Sequence, residues 1–231
     1  MFFQNLTIIT IMLRVPAILI AFAVHEFFHG YAAYLLGDMT AQRDGRLSLN
    51  PMRHLDPLGT IMLLIVGFGW AKPVMINPYN LRNPKQDMAI IALAGPLSNF
   101  AMAFVAIFIG VGLAFNLGGG NPIDVLQNHL YLFNNVQQFT ARGLLFNFIG
   151  VFAIINLSLG IFNLLPIPPL DGSKIFTFFL PDELYFRFIS FRYGFFILIA
   201  LVLTNIVGVV LSMGVTALWD MMAWLPISIF S

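Results

Sequence analysis

The chain has no cysteine, only two glutamates, and few charges of either sign: 11 Lys plus Arg and 10 Asp plus Glu, 9% of 231 residues. Without cysteine there are no disulfides and no thiolate metal ligands. A net charge of +1 leaves no basic field for nucleic acid and no acidic tail, so no nucleic-acid partner is expected. A soluble domain keeps roughly a quarter of its residues charged. At a mean hydropathy of +0.89, with 59% hydrophobic residues, the expected solvent is a lipid bilayer. No Ser-, Gln- or charge-rich linker and no repeat divides the chain, and residues 1–231 read as one membrane-embedded domain.

What the chain does have is long apolar runs. A crossing helix needs about 20 apolar residues, and four stretches qualify: 8–36, 87–116, 141–165 and 193–214. The shorter 56–68 reads as re-entrant, and 214–230, with Trp219 and Trp224, as a partial span or interfacial helix. "GRLSLNP" (45–51) and "WAKPVMINP" (70–78) alternate and end in turn residues, which predicts brief strand-like pieces. The expected class is an all-α polytopic membrane protein with about 5–6 membrane helices, some short or re-entrant, and small strand-like elements on the cytoplasmic side. The first run is too long for a cleavable signal peptide and contains Arg14.

Basic residues set the orientation. Segments 38–86 and 166–192 carry the Lys and Arg residues of the connections, whereas 117–140 carries none. The first two are therefore expected in the cytoplasm, and 117–140 and the N-terminus outside.

Within the first run, His25-Glu26-Phe27-Phe28-His29 fits H-E-x-x-H. Residues four apart on a helix share a face, so both imidazoles can reach one ion, with Glu26 beside them as proton acceptor. Hydrolytic zinc needs three protein ligands and an open position. The bland alternative is three polar groups satisfied inside a bundle. An acidic group at mid-bilayer costs about 2.5–3.5 kcal/mol and ordinarily marks function, which favours the metal.

The third ligand is sought by elimination. Position 35 is Leu35, no glutamate occurs between Glu26 and Glu183, and His129 falls in the expected external connection. Asp38 follows nine residues after His29, about 13 Å along a helix. Asp44, His54, Asp56 and Asp171 remain. Asp171 has the best setting: Pro166, Pro168 and Pro169 precede it and Gly172 follows, giving irregular backbone of the kind tolerated at membrane depth only beside a cavity.

Taken together and in order, "HEFFHGYAAYLLGD", "GRLSLNPMRHLDPLGT", "AGPLSNF" and "NLLPIPPLDG" resemble the site-2 protease family of intramembrane zinc metalloproteases. The resemblance covers about residues 20–175 and implies a three-helix core holding one zinc ion through His25, His29 and Asp171. It implies Glu26 as the catalytic acid/base, and transmembrane protein segments as substrates. The catalytic core would be about 8–180, with C-terminal helices over 182–231. With no room for a PDZ or CBS domain, the chain is similar to the compact members. The resemblance suits a multi-pass protein of a prokaryotic plasma membrane with its site open to the cytoplasm; oligomeric state and physiological substrate are not encoded in these motifs.

Three further residues are candidates. Asn99 either hydrogen-bonds substrate near the metal or joins helices. His54 approaches the zinc or, with better reason, serves structure, and Asn163 contacts a helix end. Competing function classes are a metal transporter and a silent partner that binds membrane proteins. Substrate must unwind to be cut, and an exposed edge in 70–78 would pair with it by β-augmentation. Proline at Val74 or Ile76 is expected to slow cleavage of a transmembrane substrate; unchanged rates in both variants count against such pairing.

Overall fold

A computed structural model of the chain describes residues 8–57, 59, 71–116, 141–181, 183–184 and 193–230. Uninterrupted apolar sequence with few β-branched clusters gives helix almost throughout: α1 (Ile8–Leu35), α2 (Pro84–Asn116), α3 (Ala141–Asn163), α4 (Asp171–Phe178), α5 (Gly194–Leu203) and α6 (Ile206–Phe230). Four of these, α1, α2, α3 and α6, are long and apolar enough to cross a membrane, and the chain is an all-α, multi-pass membrane protein.

Helix α2 is the central post. It packs against α1, α3, α4 and α6. Small residues let the helices approach closely: Ala103, Ala106, Ala153 and Ala223 alternate with Ile107, Val111, Leu157 and Trp219 between α2, α3 and α6. A second seam joins Ala17 and Ala21 of α1 to Val151 and Ile155 of α3.

Two sequence expectations are corrected here. The apolar run 193–214 is not one span. The chain turns at Asn205, whose φ is +59°, and Asn is one of the few residues that tolerates this left-handed position at a helix end. The crossing helix is instead α6, and Trp219 lies in the core at 5% exposure. Hydropathy does not show the break, because both sides of it are apolar.

The strand-like pieces are also absent. Among the described residues there is no strand, only an isolated antiparallel bridge between Leu55 and Ala71. Pro51, Pro73 and Pro78 remove the donors a ladder needs. Asn50 and Asn77 instead accept from the N–H two residues on and start single 3-10 turns. The 56–68 piece lies outside the described residues, apart from Asp56, Pro57 and Gly59. There Asp56 accepts from Gly59 N–H at 2.8 Å, an N-cap bond. The 117–140 connection is likewise outside them.

The ends of the helices nearest the site are firmly closed. Helix α1 stops at Gly37 (φ +105°), with Asp38 N–H donating to Ala33 O at 2.9 Å and Gly37 N–H to Tyr34 O at 3.1 Å, a Schellman arrangement. Helix α2 opens with Pro84 at its first position, and Asp87 Oδ2 accepts from Asn83 N–H at 2.9 Å. Between these ends Asp38 acts as a clip. Fully buried, it accepts from Thr40 N–H at 3.1 Å and Thr40 Oγ1–H at 2.5 Å. It also accepts from Asn80 Nδ2–H at 2.8 Å and Asn77 N–H at 2.7 Å.

Burial pushes the Asp38 carboxyl up, but the bonds from Thr40, Asn80 and Asn77 outweigh it and hold it below its ordinary value. A carboxyl depressed on folding contributes stability that is fully present above its unfolded pKa of about 3.9 and is lost as pH falls through the folded one. Asp38→Asn should therefore destabilise the detergent-solubilised protein by about 1.5–3 kcal/mol at pH 7. Thermal unfolding followed by circular dichroism should show that deficit shrinking below pH ~4; a deficit independent of pH contradicts the clip.

Candidate metal centre

His25 and His29 lie one turn apart on α1, facing α2. They face it across Gly95, and the approach is so close that any side chain there would meet the imidazoles. A Cβ there would lie 2.5 Å from His29 Nε2 and 2.7 Å from His25 Cε1. Asp171 arrives from the far side of the chain. After α3 the proline run ends in Leu170, extended and at the N-cap of α4. Gly172 lets α4 begin against the backbone of Leu164, where a Cβ would come within 2.1 Å of a carbonyl oxygen. The turn is thus folded back on itself, and Asp171 sits in the first turn of α4, where the helix dipole favours its negative charge.

The three side chains meet. Asp171 Oδ2 is 3.1 Å from His25 Nε2 and 2.9 Å from His29 Nε2, and the two Nε2 atoms are 3.0 Å apart. All three residues are buried, at 3%, 6% and 6% exposure for His25, His29 and Asp171. Among the described residues they form the group whose ligand atoms could hold a metal ion.

The surrounding bonds decide which atoms carry protons. His29 Nδ1 lies 2.7 Å from Ile91 O, which can only accept, so Nδ1 is the protonated nitrogen. His25 Nδ1 lies 2.6 Å from Asn99 Oδ1. Asn99 is oriented in turn, since its Nδ2 faces Asn156 Oδ1 at 2.8 Å and Ala21 O at 3.4 Å. Neutral histidine carries one ring proton, and in both rings it is on Nδ1. Both Nε2 atoms and Asp171 Oδ2 therefore point lone pairs at a common point within 3.1 Å of one another. Three converging acceptors in a buried site repel unless a cation lies among them. The donor set, two neutral imidazoles and one carboxylate, fits zinc, which takes N and O ligands in this combination.

Glu26 does not join the group. Half-buried one position along α1, its Oε2 accepts from Val74 N–H at 2.9 Å. The extended segment 72–77 is thereby held to the site at Val74, to the 45–55 loop through Lys72 N–H and His54 O at 2.8 Å, and to Asp38 through Asn77.

The remaining sequence candidates fall elsewhere. His54 is 1% exposed, and its Nε2–H donates to Ser48 O at 2.6 Å; Nδ1 has no partner among the described residues. It fastens the loop. Asn163 donates from Nδ2 to Leu159 O, one turn back in its own helix, at 3.0 Å. Asn99 is fully buried, and both ends of its amide are engaged, so it supports His25. Sequence reasoning missed Asn156 and Lys174, whose Nζ is 3.2 Å from Asp171 Oδ1. For Asn156 the available signal was an amide in the middle of a crossing helix.

Comparison with known proteins identifies the family. Peptidase family M50 matches residues 14–203. The chain belongs to that family, the site-2 proteases. It is 34% identical to YwhC of Bacillus subtilis over 209 residues, 90% of this chain and 84% of that one. It is 29% identical to MJ0611 of Methanocaldococcus jannaschii over 177 residues, 75% and 73% of the two chains. Rip2 of Mycolicibacterium smegmatis is 29% identical over 159 residues, 67% of this chain and 52% of its own length. All three are named as candidate zinc metalloproteases. No solved structure matches the chain.

The tight fit at Gly95 gives a direct test of the centre. Gly95→Ala should leave the helical circular dichroism unchanged within about 10%, since Ala is the better helix former. By displacing both imidazoles it should lower bound metal, measured by elemental analysis of purified protein, at least about tenfold.

Proposed function

We propose that this M50 peptidase is a zinc-dependent endopeptidase that cuts transmembrane segments of membrane proteins near the cytoplasmic face. The reading rests on one observation, the convergence of His25 Nε2, His29 Nε2 and Asp171 Oδ2 with both histidine protons directed away from it. The names of the relatives, candidate zinc metalloproteases, support zinc as the ion, and a single tridentate group supports one ion. When bound, zinc supplies Lewis acidity that makes water a nucleophile near neutral pH and polarises the scissile carbonyl.

The chain's own residues supply the rest. Glu26 is the general base that takes the proton of the attacking water and the acid that returns it to the leaving amine. Its position one residue from His25 places it beside the group, off the two-histidine stripe. Asn99 and Ile91 O hold the imidazoles as acceptors toward the site, and Lys174 holds the outer oxygen of Asp171. The depth of the site follows from α1. His29 is six residues before Leu35 at its end, about 9 Å by helical rise, so the site lies inside the bilayer but within reach of water from the Asp38 side. Positive-inside orientation makes that side cytoplasmic, and a prokaryotic plasma membrane is the setting proposed. The substrates are membrane proteins, the lipid bilayer is the surrounding partner, and nucleic acid has no role.

A metal transporter would use the same ligands but not Glu26. Glu26→Gln separates the readings. The variant should retain zinc at one equivalent per chain and lose cleavage of a reconstituted transmembrane substrate by about 10²–10⁴-fold. Retained cleavage, or zinc transport into proteoliposomes that survives the substitution, contradicts the protease.

A further inference from the structure

The orientation of His25 is not set by Asn99 alone. A side-chain amide can turn end for end, exchanging its oxygen and nitrogen, at no covalent cost. Were Asn99 to do so, its Nδ2 would face His25 Nδ1, and the imidazole would have to move its proton to Nε2, into the metal group. Something must prevent the flip. Ala21 O, at 3.4 Å, is a long contact and a weak restraint. The close partner is Asn156 Oδ1, at 2.8 Å. Asn156 has an orientation of its own that cannot be reversed, because its Nδ2 donates to Phe152 O, one turn back on α3, at 2.8 Å.

We propose that Asn156 is a positioning residue for the metal centre, fixing through Asn99 the tautomer and aim of His25. The proposal rests on the reading of His25, His29 and Asp171 as metal ligands. The polarity runs one way. Phe152 O accepts from Asn156, Asn156 Oδ1 accepts from Asn99, Asn99 Oδ1 accepts from His25 Nδ1–H, and His25 Nε2 is left as an acceptor facing the ion. The His25–Asn99 and Asn99–Asn156 links are buried, and both amides completely, so water cannot replace a lost partner there. The relay spans three helices: it starts on α3, passes through α2 and ends on α1. A carbonyl of α3 thereby determines which nitrogen of α1 meets the metal. Groups that orient a ligating histidine commonly change metal affinity by roughly 10–100-fold when removed.

The test is a zinc titration of the full chain in mild detergent, competed against a chromophoric chelator, for the parent, Asn156→Leu, Asn99→Leu and the double variant. Asn156→Leu should weaken zinc binding by roughly 10–100-fold. The double variant should bind within about twofold of Asn99→Leu alone, because both substitutions cut one relay. Losses that multiply in the double variant overturn the proposal. So does an Asn156→Leu affinity within about twofold of the parent, even if thermal stability falls, since that is what a merely packing role predicts. Should the leucine variant not be recovered folded, Asn156→Ser gives the same readout and is judged by the same outcomes. Its hydroxyl can bond back to Phe152 O but is too short to reach Asn99. A parent chain that takes up no zinc overturns the metal reading itself, and the relay with it.

Discussion

The fold is organised around a group of atoms that repel one another. Two imidazole nitrogens and a carboxylate oxygen, each within 3.1 Å of the others, are held in the interior of an apolar bundle. Left to themselves they would rotate apart or take up a proton. Their convergence is enforced from outside: Ile91 O and Asn99 hold the ring protons away, Gly95 removes the side chain that would stand between α1 and α2, and Gly172 lets Asp171 double back under them. Burying an unpaired polar group in a membrane protein costs several kcal/mol. Every outer donor and acceptor described around these three is accordingly paired.

Much of this candidate centre is legible in the sequence because its residues obey local geometry. His25 and His29 share a face by spacing alone, and Glu26 stands out as one of two glutamates. Asp171 is readable because prolines and glycine announce an irregular turn after a crossing helix. Asn99 and Asn156 are harder, since an amide in a membrane helix looks the same whether it joins helices or orients a ligand. Which role it has depends on a partner 57 or 74 positions away.

The expectations that failed share a cause. Hydropathy reports what a segment is made of, and the break at Asn205 turns on one backbone angle within a predominantly apolar run. Alternation in 45–51 and 70–78 resembles a strand pattern, yet prolines leave too few donors for a ladder. Those segments satisfy their backbone one bond at a time instead, through Glu26, Asp38 and the carbonyls of the 45–55 loop. Side-chain acceptors have taken the place of a second strand.

That substitution divides the site into two kinds of support. The candidate metal-holding atoms are fixed by helix interiors: fully buried amides, a helical carbonyl, and glycines at close approach. Such contacts change only if helices move. Glu26 is fixed differently. It is half-buried, and its described partner is the N–H of Val74 in an extended segment outside any helix. In its proposed role as the base, it needs water at its oxygen and freedom to shift between two atoms of the reaction, and both are easier at the edge of the bundle than within it. The polarity of the arrangement therefore suits the proposed chemistry: rigid where an ion would be held, adjustable where a proton would move.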